Sequence, residues 1–256
     1  MLNKSKQNKL ITSLKKFSKQ YYSKKISDLD ESGTRLMINS FLTDVLGYTP
    51  IEEIKTEYMI RGTYADYVIQ LKGNRKFLIE VKALSINLSD KHLRQAINYG
   101  ANEGIEWALL TNGKCFDFYK IIFDKPIDYR KVFSIDLSDI KSIKANVEFL
   151  QHLHKEGVSN RGLELLWNKC VALDPSNIAG FLYMPPVLNF LRKSLKSKYK
   201  HKFSDDEIKN ALNRIVYEEI QLEDIKPKRI SKNKKSSKTK GNPQSPNSSV
   251  NQITQN

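Results

Sequence analysis

Cysteine is nearly absent from this chain. Cys115 and Cys170 are the only two, they lie far apart, and no CxxC pair exists. A disulfide framework and a cysteine zinc site are both disfavoured, and a reducing cytoplasm is the expected setting. Histidine is also scarce, with His92, His152, His154 and His201 making up the full set. None falls in a Ser-His-Asp or Cys-His arrangement, and His92 has no partner at metal spacing. No apolar run approaches the roughly 18 to 20 residues that span a bilayer, and the basic N-terminus is not followed by an apolar signal core. Neither export nor membrane insertion is expected. An ATP-binding loop of the form Gly-x4-Gly-Lys-Ser/Thr is missing as well. The nearest approach, Gly113-Lys114, has Ala108 in place of the first glycine and Cys115 in place of the hydroxyl residue. The chain is not expected to drive a motor with ATP by itself.

Acidic residues are missing from both ends. Residues 1–25 hold eight Lys and no acid, and residues 226–256 hold eight Lys or Arg and no acid. The stretch between, 26–225, carries 27 bases against 28 acids, so the net charge of +15 belongs to the ends. Basic ends on a neutral body suit a polyanion such as DNA or RNA, and they also serve solubility. Residues 226–256 have almost nothing to bury and are predicted to be a disordered tail. A peripheral membrane protein would need an apolar wedge beside such ends, and none is evident.

What is present has a readable order. Leu10, Leu14, Phe17 and Tyr21 share one helical face, which is expected to dock on the body. A second helix is predicted from about Asp30 to Leu46, with Gly47 stopping it. Three short strands follow, over 54–60, 64–71 and 76–83, separated by Arg61-Gly62 and Gly73-Asn74. A helix over 89–102 with Ser89 as its N-cap comes next, and then strands over 107–111 and 115–121 turning at Asn112-Gly113. From about residue 140 the pattern is helical. Pro185-Pro186 is read as ending one segment, and Val187 to Leu195 as beginning another. Ser204 with Glu207 forms a capping box, Phe203 with Ile208 a staple, and the helix after them is expected to bury Ile208, Ala211, Leu212, Ile215 and Val216. The fold class is α/β: a mixed central sheet flanked by helices, with a C-terminal helical module. The divisions are a basic N-terminal helix (1–27), the α/β domain (28–140), the helical module (141–225) and the tail (226–256).

The hairpin "YADYVIQLKGNRKFLIEVKA" carries the chemistry. A turn centred on Gly73-Asn74 pairs position 66 with 81, which brings Asp66 close to Glu80. Glu80 and Lys82, two apart, share one face of their strand. Two carboxylates that close repel unless a cation lies between them, and Mg²⁺ is the hard, carboxylate-seeking choice, with Mn²⁺ able to substitute. A lysine beside them could position or deprotonate a water, giving metal-assisted hydrolysis of a phosphodiester. The carboxylate-x-Lys triplet occurs five times, but only Glu80/Lys82 follows three apolar strand residues, Phe77-Leu78-Ile79, and has an acid on a neighbouring strand.

The segments "DESGTRLMINSFLTDVLGY", "ADYVI", "FLIEVKA", "RQAINYGAN" and "IEWALLTNG" resemble the N-terminal nuclease domain of type I restriction enzyme R subunits, within the PD-(D/E)xK nuclease superfamily. The resemblance covers roughly residues 28–122 and implies a restriction-endonuclease-like core. It implies that Asp66 and Glu80 bind Mg²⁺, with the carbonyl of Val81 available as a third ligand, and that Lys82 serves the attacking water. It adds Glu31 on the first helix, and Gln95 and Tyr99 one turn apart on the helix after the lysine. Glu31 can also be read as a helix N-terminal charge, Gln95 as a surface residue and Tyr99 as packing. Ala65 stands where many members have proline. The implied activity is a Mg²⁺-dependent endonuclease in restriction, defence or DNA processing, acting on nucleic acid, DNA ahead of RNA. Full R subunits carry a helicase motor, so a separate motor or specificity subunit is an implied partner. The alternative is a non-catalytic nucleic-acid-binding or assembly module that keeps the fold. Nothing structural requires Lys82, which favours the enzyme.

Overall fold

A computed structural model describes residues 1–22, 28–60 and 63–217. The predicted tail and the Arg61-Gly62 turn lie outside the described residues. The chain falls into two compact units, one over residues 1–187 and one beginning at Leu188.

The first unit is built on a six-stranded sheet in which sequence order is spatial order. The strands are β1 (Ile54–Ile60), β2 (Thr63–Leu71), β3 (Asn74–Val81), β4 (Trp107–Thr111), β5 (Cys115–Ile122) and β6 (Asp128–Asp136). All neighbours are antiparallel except β3 and β4. A parallel pair needs a crossover, and α3 (Asp90–Glu103) supplies it. The sheet is therefore mixed, as expected. β6 was not anticipated: its burial runs mostly exposed or half-buried from Asp128 to Val132, so it reads as a polar loop, and pairing with β5 makes it a strand.

Alternation along the strands divides the core. On one side Ile69, Phe77, Ile79, Leu109, Phe116 and Phe118 pack with α1 (Lys4–Tyr21), α2 (Glu31–Ser40) and α4 (Ile143–Leu153). On the other, Val68, Leu78, Ala108, Leu110 and Ile121 pack under Leu93, Ala96 and Ile97 of α3. The predicted docking of the first helix is borne out, since Leu10, Leu14 and Phe17 are buried. The second helix runs as α only to Ser40. Phe41–Val45 forms a π turn, closed by Leu46 N–H to Phe41 O at 3.0 Å, and Gly47 then leaves the helix at φ +77°. Ser89 caps α3 by position, but its hydroxyl faces His92 Nδ1 (3.3 Å) and not the backbone.

The helices α5 (Lys155–Ser159), α6 (Gly162–Ala172) and α7 (Pro175–Leu182) complete this unit. Leu150, Leu153, Val158, Leu163 and Leu166 enter the same core as the sheet, so the first half of the segment expected as a helical module shares the sheet's core. Gly157 shows how tightly this part is packed. A Cβ there would meet Gln151 O at 2.0 Å, too close for a backbone atom to accept without a shift. Gly157→Ala is expected to lower unfolding stability by about 1 to 3 kcal/mol, which denaturant melts will measure.

The second unit contains α8 (Pro185–Tyr199, from its fourth residue) and α9 (Asp205–Tyr217). The expected break is present, since α7 stops at Leu182, but the new helix starts at Pro185-Pro186, two residues before Val187, because proline's fixed φ suits a first helical turn. The capping box is present: Ser204 Oγ accepts from Glu207 N–H (3.2 Å), and Glu207 accepts from Ser204 N–H (2.8 Å). Ile208 and Leu212 are buried as expected, but Ile215 is half exposed.

Candidate active site

The hairpin turn sits one residue earlier than its sequence suggests. Leu71 pairs with Asn74, so Lys72-Gly73 make the turn, both in the left-handed region (φ +51° and +77°). A bulge between Ile69 and Gln70 then shifts the register, and Tyr67 pairs with Ile79. Continuing that register by one residue sets Asp66 opposite Glu80 where 66 opposite 81 was expected, a correction that brings the two carboxylates closer in register. β3 ends at Val81. Lys82 N–H continues the pairing to Thr111 O at 2.8 Å, which fixes the backbone under the lysine.

Asp66, Glu80, Lys82, Glu31 and Gln95 line one open hollow of about 340 Å³, together with Ala65, Arg35 and Glu57. A larger hollow of about 510 Å³ runs along β1 past Ile51 and Ile54, but Glu57 is the only carboxylate among its described lining residues. Converging charge, not size, singles out the smaller one. Val81 itself is buried in the core, and its N–H donates to Asp66 Oδ2 at 2.7 Å. Tyr99 is buried on α3, one turn after Gln95, where its hydroxyl accepts from Gln95 Nε2 at 2.8 Å and so holds that amide at the hollow.

Four carboxylates, Glu31, Glu57, Asp66 and Glu80, face two cations, Arg35 and Lys82. Lys82 Nζ lies 2.7 Å from Glu80 Oε1 and 3.6 Å from Glu31 Oε2. Arg35 Nη1 lies 3.1 Å from Asp66 Oδ1 and 3.8 Å from Glu57 Oε1. Sequence reasoning missed Arg35 and Glu57. The signal for Arg35 was available, since it stands one turn after Glu31 on the same helix face. Glu57 offered none, because its place depends on a left-handed residue (φ +47°) interrupting the β1 ladder opposite Asp66.

Burial sets the protonation equilibria. Glu80 is 1% exposed, and burial pushes its carboxyl up to about 7 despite the hydrogen bond from Lys82. Burial raises Asp66 as well, against the Val81 N–H and the charge of Arg35. For Lys82, burial acts downward, but the hydrogen bond to Glu80 and the charges of Glu80, Glu31 and Asp66 outweigh it and hold the amine above its ordinary 10.5. Without a cation, the surrounding carboxylates favour the ammonium form.

One atom stands out. Glu80 Oε2 is buried and has no hydrogen-bond partner among the described residues. Leaving such an oxygen unsatisfied costs about 1 to 3 kcal/mol, and more when it is charged. Among the described residues no group of three or more His, Cys, Asp or Glu side chains sits at metal-binding spacing. Two carboxylates remain, which is the number a Mg²⁺ ion needs from protein when carbonyls, waters and substrate phosphates supply the rest. The orphaned oxygen and this donor set fit a hard divalent cation.

Residues 30–132 match the family model of the type I restriction enzyme R protein N terminus (HSDR_N). The match runs from the cap of α2 into β6 and contains every residue lining the hollow. It bears out the resemblance read over 28–122 and extends it into β6. No curated protein and no solved structure matches the chain.

Proposed function

From the match of residues 30–132 to that R-protein family, we propose that this chain is a metal-dependent nuclease that hydrolyses phosphodiester bonds, DNA ahead of RNA, within a restriction or related DNA-processing system. The observation that carries the reading is the unpartnered Glu80 Oε2, buried beside Asp66 and Lys82. Asp66, Glu80 and the carbonyl of Val81 would hold Mg²⁺ or Mn²⁺. Once bound, such a cation neutralises negative charge growing on the phosphate oxygens.

The chain's own groups do the rest. Lys82, beside Glu80, would orient the attacking water and fix its approach. The amine would take that water's proton where a bound cation's charge, together with burial, lowers its pKa. Gln95, steadied by Tyr99, presents an amide to the lysine or to a phosphate. Arg35, about a third exposed at the rim, supplies a second fixed positive charge where a phosphate would enter. Glu31 orients Lys82 from the far side. A separate motor or specificity subunit would present the DNA.

The test is cleavage of supercoiled plasmid and of single-stranded RNA by the full chain, alone and with cell extract. Strand loss that needs Mg²⁺ or Mn²⁺ and stops with EDTA is the expected result. Intact substrate under every condition favours the non-catalytic module.

A further inference from the structure

Residues 188–204 contain six Lys or Arg and no Asp or Glu, within a body whose overall charge is close to neutral. On α8 these bases are segregated from the apolar side. Leu188 is buried and Leu191 and Leu195 are half-buried, whereas Lys193, Lys196 and Ser197 are exposed. Lys200 follows directly, in a left-handed conformation (φ +56°) that ends the helix. Two shallow hollows share the Lys193–Lys196 ridge. One, of about 290 Å³, is completed by Arg192, Lys202 and Phe203, and the other, of about 430 Å³, by Ser197 and Lys200.

The acids of this unit's described residues are already engaged. Asp205 pairs with Arg192 (2.9 Å), Asp206 with Lys209 (3.5 Å), and Glu207 serves the Ser204 cap. No carboxylate among the described residues lies within ion-pair distance of Lys193, Lys196, Lys200 or Lys202. Exposed aromatics sit among these bases: Phe190 is 68% and Tyr199 58% exposed. A face that clusters like charges repels itself unless it meets a polyanion. Lysines spaced three and four residues apart advance about 4.5 to 6 Å along a helix, on the scale of successive phosphates, and exposed rings offer stacking to unpaired bases.

We infer that α8 and the loop to Ser204 form a second nucleic-acid surface, one that grips the phosphate backbone of a strand through Lys193, Lys196 and Lys200. It lies outside residues 30–132 and rests on the charge and geometry of the second unit alone, so it stands whether or not the hollow at Glu80 cleaves.

The experiment measures binding of labelled single-stranded and duplex oligonucleotides to the full chain in EDTA, across a series of salt concentrations. The triple variant Lys193→Gln, Lys196→Gln, Lys200→Gln is compared with wild type and with an equal loss of charge in the first unit, Lys72→Gln, Lys76→Gln, Lys125→Gln. The expected result is weakening of about tenfold or more near physiological salt and a log–log salt slope lower by roughly two to three units in the first variant only. Single substitutions, each lowering the slope by roughly 0.7 to 0.9, serve if circular dichroism shows the triple variant unfolded. Unchanged affinity and slope overturn the inference, as does an equal loss in the control variant. Loss of binding to vesicles of anionic lipid with oligonucleotide binding intact would also overturn it, in favour of a membrane surface.

Discussion

Lys82→Ala is expected to lower cleavage by about 10² to 10⁴-fold, the range that a positioned proton donor or acceptor supplies, while leaving cation and nucleic-acid binding close to wild type. The amine is 2.7 Å from Glu80 Oε1 and 3.6 Å from Glu31 Oε2, and its removal takes no atom from the pair of carboxylates. Asp66→Ala and Glu80→Ala should behave differently and lose Mn²⁺ binding and cleavage together. Gln95→Ala should fall between, because Tyr99 positions that amide without touching the carboxylates. Glu31→Ala should be mild, since it removes one of the carboxylates around Lys82 and leaves the nearer one. Cleavage rates, Mn²⁺ titration and oligonucleotide binding measured on the same preparations separate these roles. Equal residual activity in wild type and Lys82→Ala under every condition would sink the nuclease reading and leave the binding module.

Glu80 is expected to make the cation-free protein less stable as pH rises. Its carboxyl has an ordinary value of 4.5 and stands at about 7 in the folded chain. Between these values the unfolded chain has already lost a proton that the folded chain keeps. The stabilisation this group provides is therefore full below about pH 4.5 and is lost by about pH 7, and the difference is about 3 kcal/mol. Asp66 is shifted in the same direction and adds to the trend. Glu80→Gln, which cannot ionise, should flatten this part of the pH–stability profile in EDTA. A divalent cation added at pH 8 should raise the unfolding midpoint of wild type, because it satisfies the charge that burial penalises. It should leave Glu80→Gln nearly unmoved. A wild-type profile in EDTA that is flat between pH 4.5 and 7, or a cation shift equal in both proteins, would remove Glu80 from the proposed binding set.

Local pattern alone determined a good deal here. Apolar periodicity located α1, α2 and α3, which each bury one face, and short apolar runs bounded by turn residues located five of the six strands. The same pattern put Asp66, Glu80 and Lys82 at one end of a hairpin, since a two-residue period and a tight turn leave little freedom. Other features were decided only by long-range packing. β6 is a strand because β5 offers it an edge, and its own residues are too polar to announce it. The bulge at Ile69/Gln70 reset the register by a residue. Gln95 is held by a tyrosine one turn away, a spacing visible in sequence, but the burial that makes the contact durable comes from the sheet beneath α3. Arg35 and Glu57 reached the hollow from two further elements, by a helix start and by a left-handed break in β1. The protonation of Lys82 went the same way. Burial by itself would lower its pKa, and only the three-dimensional gathering of Glu80, Glu31 and Asp66 around one amine reverses the sign. Charge adds as a sum over neighbours in space, and that sum cannot be read from order along the chain.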